Sequence, residues 1–104
     1  MARKYDSPCP VARTLNIIGD RWAILVLRDL FLRGPRRFQD FERSLNGITP
    51  GVLSQRLKEF EAHGVIEARL YAEHPPRHEY LLTEKGRELG PVLRAMKSWG
   101  ERYA

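Results

Sequence analysis

Residues 46–66 most constrain the fold, because they combine a helix start, a helix end and a one-sided apolar pattern. Thr49 is a favourable N-cap and Pro50 suits the first helical position, whereas His63 and Gly64 are typical of a helix end. Between them, apolar residues recur at helical spacing and predict a buried stripe. The residues of this stripe are Ile48, Leu53, Leu57 and Phe60. The segment therefore predicts an amphipathic helix with a polar outer face.

The outer face of this helix carries side chains that could reach a DNA groove. Gln55 can pair bidentately with adenine, and Ser54 can contact a base or a phosphate. Gly51 would let the helix N-terminus, whose amides favour phosphate, approach a duplex. The candidate DNA contacts, with Arg56 at the border of the face, are Thr49, Pro50, Gly51, Ser54, Gln55, Arg56 and Lys58. The alternative is a solvated polar face that binds nothing.

Basic charge is concentrated around the same segment. The chain of 104 residues has a formal net charge of +5, and six basic residues lie between Arg33 and Lys58 against two acidic ones. Such an excess favours an anionic partner but does not specify a fold. Arg36 and Arg37 precede a short helical pattern, and we expect one of the two to contact the phosphate backbone. The alternative for both is a solvated turn.

The remaining patterns predict one domain over residues 1–104, since neither repeats nor linkers interrupt the chain. A first helix that begins at Pro10 ends at Gly19, and Asp20 can cap a second, strongly apolar helix that ends at a Gly-Pro step. Residues 36–38 favour a brief strand. The third helix, a short one, is marked by Phe38, Phe41 and Leu45.

Alternating residues after the fourth helix predict two strands, residues 65–73 and 78–83, joined by a turn at residues 74–77. Arg77 is the natural DNA contact at the tip of this hairpin, because arginine favours narrow minor grooves. Two histidines near the tip raise the alternative of a metal site. No carboxylate or cysteine arrangement supports that alternative, so no metal is expected.

A final helix follows Thr83, and a kink or restart is expected near Gly90 because Pro91 lies inside its apolar pattern. The complete order of elements is then α-α-β-α-α-β-β-α. Two short helices with a glycine turn between them, followed by a hairpin, are typical of a winged helix-turn-helix. The predicted fold is therefore mainly α with a small β-hairpin.

Several motifs follow one another in a fixed order: CPV, IGDRWAILVLRDL, GPRRFQDFERSLNGI, LSQRLKEFEAHGVIEARLY, PPRHEYLLTEKGREL and a terminal Trp-Gly. Over about residues 9–100 they resemble the HxlR-type transcription regulators, which are relatives of the MarR group. Phe60 stands where leucine is more usual, and Thr49 replaces a commoner serine cap. The resemblance implies a homodimer on double-stranded DNA, with the fourth helix in the major groove and the hairpin tip near the minor groove or backbone.

The resemblance also implies that the first and last helices pack between the two subunits. The residues expected in this dimer interface are Val11, Leu15, Val92, Met96, Trp99 and Tyr103. Met96 and Trp99 favour this interpretation independently, because one small domain offers little else for them to pack on. A ligand pocket that includes Trp22 is the alternative, and a small-molecule effector is left unidentified.

Cys9 is the only cysteine, and it precedes Pro10 at a helix N-terminus, with Arg3, Lys4 and Arg13 nearby in sequence. A helix N-terminus and basic neighbours both raise the reactivity of a thiol. Some members of the family that the chain resembles sense oxidants or electrophiles with a cysteine at this place. The options are a Cys9–Cys9 bridge between subunits or a small-molecule adduct. The alternative is an inert thiol.

Together these observations predict a sequence-specific transcription regulator, a repressor that binds a roughly palindromic operator as a homodimer. A winged-helix protein-interaction module without DNA binding is the alternative. An enzyme and a cofactor are not expected, because no nucleophile–base pair, phosphate loop or metal-ligand spacing occurs. No apolar run approaches a membrane span and no secretory signal is found, so we expect a protein of the cytoplasm that is associated with the nucleoid.

Overall fold

The computed structural model describes residue 6 and residues 8–104, and the elements of this part of the chain form a winged helix-turn-helix. They follow in the order α1 (Pro10–Ile18), α2 (Arg21–Arg33), β1 (Arg36–Arg37), α3 (Phe38–Ser44), α4 (Pro50–Ala62), β2 (Ile66–Glu73), β3 (Pro76–Leu82), α5 (Glu84–Arg87) and α6 (Gly90–Tyr103). The three strands form an antiparallel sheet in the order β1-β3-β2. The predicted fold class is therefore confirmed.

Side-chain caps explain where three of the helices begin. Asp20 accepts hydrogen bonds from two backbone amides of the first turn of α2. The hydroxyl of Thr49 accepts from the amide of Val52 at 3.2 Å. Thr83 caps α5 in the same way. These groups satisfy amides that a helix N-terminus leaves without a partner, so the predicted starts of α2, α4 and α5 are confirmed.

The C-terminal helical region restarts where the sequence predicts it. The chain leaves α5 at Arg87 and resumes a helix at Gly90, with Pro91 in the first turn of α6. A Cβ atom on Gly90 would lie 3.4 Å from the ring of Phe31, so the start of α6 approaches α2 closely. The single final helix of the predicted order is therefore two helices, α5 and α6.

The hairpin turn is shorter than predicted. Only residues 74–75 form the turn, whereas Pro76 and Arg77 already belong to β3. A proline can occupy the first position of a strand, where its missing N–H removes little from the ladder. The predicted brief strand is also shorter, because Phe38 begins α3 and only residues 36–37 pair with β3.

The core lies between α2, α3, α4 and the base of the sheet. The ring of Phe41 in α3 faces that of Tyr80 in β3, with 6.3 Å between the ring centroids. Burial raises the pKa of Tyr80, and the nearby charge of Glu61 raises it further. The buried apolar residues are Ile18, Ala23, Val26, Leu27, Leu30, Phe41, Leu45, Leu53, Leu57, Phe60, Val65 and Ile66. This core holds α4 by its apolar stripe and leaves its polar face outward.

Within residue 6 and residues 8–104, no helix has both the length and the apolar character that crossing a membrane requires.

Candidate nucleic-acid interface

The outer face of α4 is assembled as the sequence predicts. Gly51, Gln55 and Lys58 are exposed and Ser54 is half-buried, whereas Leu53, Leu57 and Phe60 on the opposite side are buried. Ile48, the fourth residue of the predicted stripe, precedes the helix and is half-buried. A shallow groove of about 420 Å³ runs along this face. It is lined by Gly51, Ser54, Gln55, Lys58, Glu59 and Ala62. The structure therefore brings four predicted contacts together on one open surface.

The N-terminus of α4 is exposed as well. Thr49 and Pro50 both lie at the surface, and nothing lies within 4 Å of a Cβ atom placed on Gly51. The hydroxyl of Thr49 is engaged as a helix cap, so it can contact a phosphate only while keeping that bond. The amides of the first turn remain at an open helix end, where they favour negative charge.

Arg56 differs from the other candidates on α4, because its side chain is turned toward α2. Its Nε donates to Oδ1 of Asp20 at 3.0 Å and its Nη2 donates to Oδ2 at 3.2 Å. Its Nη1 donates to Glu59 at 3.4 Å. The guanidinium is thus committed to two carboxylates inside the protein. In the single chain Arg56 therefore makes a contact within the protein, and a DNA contact by Arg56 stays a prediction.

The structure also separates the two arginines of β1. Arg36 is turned inward, where its Nη2 donates to the carbonyl of Asp40 at 2.9 Å and lies 3.5 Å from Oδ2 of buried Asp29. Arg37 is exposed, and its guanidinium carbon lies 4.0 Å from the centroid of the Tyr71 ring. Because Arg36 is held in the interior, Arg37 alone of this pair is placed to meet a phosphate.

Arg37 lies on the outer face of the sheet, beside the hairpin. Stacking on Tyr71 orients its guanidinium without using its hydrogen-bond donors. Next to it, Arg69 and Glu79 form an ion pair at 2.8 Å across the two strands. Periodicity gave no sign of this surface, because Tyr71 and Arg37 are distant in sequence and meet only when β1 joins the sheet.

Arg77 is exposed as the second residue of β3, and it is paired in register with Ala72. It projects from the end of the hairpin with the exposed His78 as its neighbour. Within the described residues, no group of three or more potential metal ligands occurs. Arg77 is therefore an exposed basic side chain near the end of the hairpin.

The predicted dimer residues on α1 and α6 are all exposed in the single chain. Val11 is 70% exposed, Trp99 63% and Tyr103 65%. The rings of Trp99 and Tyr103 contact each other at the surface in a tilted arrangement, with 5.4 Å between their centroids. The remaining exposed apolar residues of the two helices are Leu15, Val92 and Met96. Cys9 is exposed at the N-cap of α1, at one end of this surface.

The Asp20–Arg56 pair predicts a specific dependence of stability on pH. Hydrogen bonds from Arg56 hold the pKa of Asp20 below its usual 3.8. Burial raises this pKa, and hydrogen bonds from the amides of α2 lower it further. A carboxyl group whose pKa is lowered by folding stabilises the protein above its unfolded-state pKa, and this contribution is lost as the pH falls through the folded-state pKa.

We therefore expect Asp20→Asn to be less stable than the parent protein at about pH 7, and the difference to shrink by about pH 3. Asparagine retains the helix cap, so the substitution tests the charge. Urea unfolding followed by circular dichroism at both pH values measures the effect. If the two proteins differed in free energy of unfolding by the same amount at both pH values, the charge of Asp20 would not be the source of the difference.

Comparison with known proteins agrees with this architecture. The family model for HxlR-like helix-turn-helix proteins matches residues 17–104. A Bacillus subtilis protein named Uncharacterized HTH-type transcriptional regulator YdeP is 45% identical over 95 residues, which cover 91% of this chain and 73% of that protein.

Two solved structures show the same fold. The redox regulator HypR in its oxidized form is similar with a TM-score of 0.84 and 40% identity, covering 92% of this chain and 98% of that chain. A structure described as a MarR-family regulator from Enterococcus faecalis V583 has a TM-score of 0.80 and 34% identity, and the match covers 98% of this chain and 92% of that chain. These relatives are transcriptional regulators and not enzymes. Since the family match spans most of the chain, the protein belongs to the HxlR-like helix-turn-helix family of DNA-binding transcriptional regulators.

Proposed function

We propose that the protein is a repressor that binds a pseudo-palindromic operator as a homodimer, with one α4 in the major groove of each half-site. The observation that carries this proposal is the open polar face of α4, set opposite the buried Leu53, Leu57 and Phe60. Gln55 and Ser54 would read base edges, and Lys58 would contact a phosphate. A location in the cytoplasm at the nucleoid belongs to the same proposal, because the partner is DNA.

Two further surfaces supply the backbone contacts of this proposal. Arg37, oriented by Tyr71, and Arg77, at the end of the hairpin, are exposed basic groups on the sheet. Phosphate contacts of this kind supply most of the affinity and fix the register on the duplex, whereas base contacts select the site.

A homodimer is supported by the exposed apolar residues of α1 and α6. Large contiguous apolar surfaces on a small domain mark interaction sites, and two copies of this chain would cover them. The dimer would place the two α4 helices about one turn of DNA apart, roughly 34–36 Å, so the operator would mirror the two-fold symmetry.

The signal that would control such a repressor stays a prediction. Cys9 lies exposed at the start of α1, within the proposed dimer surface, where a thiol adduct or a bridge between subunits would act on the dimer. The likeness to a solved redox regulator supports thiol sensing. A small-molecule effector is the other form of signal that this proposal admits.

Operator binding can be tested by titrating the protein with DNA from upstream of its own gene, against random DNA of equal length, at two salt concentrations. Tight binding that survives the random competitor would establish the regulator, and footprinting would give the half-site spacing. Equal, salt-sensitive binding to both DNAs would contradict sequence recognition at this site. No binding to either would favour a protein-interaction module.

Two substitutions on α4 are expected to separate base reading from phosphate binding. Gln55→Ala should reduce the preference for operator over random DNA by about 1–3 kcal/mol, because a bidentate base contact is lost. Lys58→Gln should weaken binding to both DNAs and lower the slope of log K against log salt by about 0.9. Each variant is the control for the other, and the same titrations measure both. Identical behaviour of the two variants would contradict the assigned roles.

A further inference from the structure

Arg56 and Asp20 are joined by a two-pronged ion pair between elements that are far apart in sequence. Two nitrogens of the guanidinium meet the two oxygens of one carboxylate, at 3.0 and 3.2 Å. A bidentate pair of this kind fixes direction as well as distance. The side chain of Arg56 is only 14% exposed, and its third nitrogen donates to Glu59. Each guanidinium nitrogen therefore has a carboxylate partner within the protein.

The carboxylate that receives Arg56 is itself held rigidly. Asp20 is the N-cap of α2, and its Oδ1 also accepts from the amides of Trp22 at 2.8 Å and Ala23 at 3.2 Å. The residue before it, Gly19, ends α1 in a tight turn, since a Cβ atom there would lie 2.3 Å from the carbonyl oxygen of Leu15. Asp20 thus marks the junction of α1 and α2.

From these contacts we infer that Asp20 and Arg56 are positioning residues that hold α4 at a fixed angle to α1 and α2. This inference rests on the proposed function, in which α1 belongs to the dimer surface and α4 reads the DNA. The pair then sets the orientation of the two α4 helices relative to each other. The Asp20–Arg56 pair therefore affects the preference for operator over random DNA more than it affects the affinity for the phosphate backbone.

Two conservative substitutions separate positioning from charge. Asp20→Asn keeps the cap of α2 but removes a negative charge, which by long-range attraction alone would strengthen DNA binding. Arg56→Lys keeps the positive charge but cannot form the bidentate ion pair with Asp20. We expect each variant to weaken operator binding about tenfold and to leave binding to random DNA within about twofold. The double variant should bind the operator at least as tightly as the single variant with the lower operator affinity, because the two residues act through one contact.

The DNA titration has a matched control and clear contrary results. Arg43→Lys alters an exposed ion pair with Asp40 on α3, and it should bind operator as the parent protein does. Tighter operator binding by Asp20→Asn, or parent-like binding by Arg56→Lys, would overturn the inference. A reduced salt slope in Arg56→Gln, which removes the charge, together with parent-like binding by Asp20→Asn would assign Arg56 to a phosphate contact instead.

A second measurement needs no DNA. Spin labels on Arg13→Cys in α1 and on Ala62→Cys at the end of α4, both introduced into a Cys9→Ser protein, report the distance between these helices, with labelled subunits diluted by unlabelled ones. We expect Asp20→Asn and Arg56→Lys to broaden this distance distribution, and Arg43→Lys to leave it unchanged. An unchanged distribution in the first two variants would overturn the inference. If the distribution broadens while the parent protein fails to distinguish operator from random DNA, the pair is supported and the proposed function is refuted.

Discussion

Replacing Asp29 with alanine is expected to lower the free energy of unfolding by about 3–5 kcal/mol, since removing one member of a buried ion pair leaves the other charge without compensation. Asp29 is 3% exposed in the middle of α2, where it accepts a hydrogen bond from the hydroxyl of Ser44. Its partner charges are the exposed Arg28 and the more buried Arg36, and the side chain of Arg36 is 17% exposed. Arg36 is the charge that the substitution would leave buried. Its Nε makes no hydrogen bond within the part of the chain that the structure describes.

Urea unfolding of Asp29→Ala, followed by circular dichroism, measures this loss. Glu42→Ala, which removes an exposed carboxylate from neighbouring α3, should change the free energy of unfolding by less than about 0.5 kcal/mol. The double variant Asp29→Leu, Arg36→Met should recover part of the stability, because no charge then remains buried. A loss below about 1 kcal/mol in Asp29→Ala would show that the network contributes little.

Replacing Trp99 with glutamate is expected to convert the proposed dimer into monomers and to weaken operator binding by about 10²–10⁴-fold. Trp99 is exposed in the single chain and lies on the apolar face of α6 with Met96 and Tyr103. A glutamate there would bring unpaired charge into the dimer surface, which is costly to bury. Two linked reading helices bind far more tightly than one, because the second contact becomes intramolecular.

Analytical ultracentrifugation gives the oligomeric state of Trp99→Glu, and the operator titration gives its affinity. Glu101→Lys places a changed charge on another face of the same helix, and it should remain dimeric with parent-like binding. A Trp99→Glu variant that stays dimeric would place the dimer contact elsewhere. A monomeric variant with undiminished operator affinity would show that one copy of α4 suffices.

Local signals predict the helices well. The bounds of α1, α2 and α4 follow from caps and glycines that lie next to the helices they begin or end, such as Asp20, Thr49 and Gly64. The restart at Gly90 follows equally from Pro91. The hairpin end was less well predicted, because pairing with Glu73 draws Pro76 into β3 although proline favours a turn.

The contacts of the arginine side chains could not be predicted from the sequence pattern. Helical periodicity placed Arg56 beside Gln55 and Lys58 at the edge of a polar face, and it left Arg36 and Arg37 equivalent. The structure directs Arg56 to a carboxylate 36 residues earlier and Arg36 to the buried Asp29 of α2. The reach of a guanidinium is several ångströms, so its partner depends on which elements become neighbours.

The sequence by itself determined the order of the elements, the buried stripe of α4, the polar face opposite it and the excess of basic charge. These properties depend on residues within one or two helical turns of each other or on composition alone. Only the tertiary structure decided which basic side chains are paired within the protein, because ion pairs and ring contacts join residues from different elements. Arg37 lies over the ring of Tyr71 and Arg56 is paired with Asp20, since packing brings those residues together across the fold.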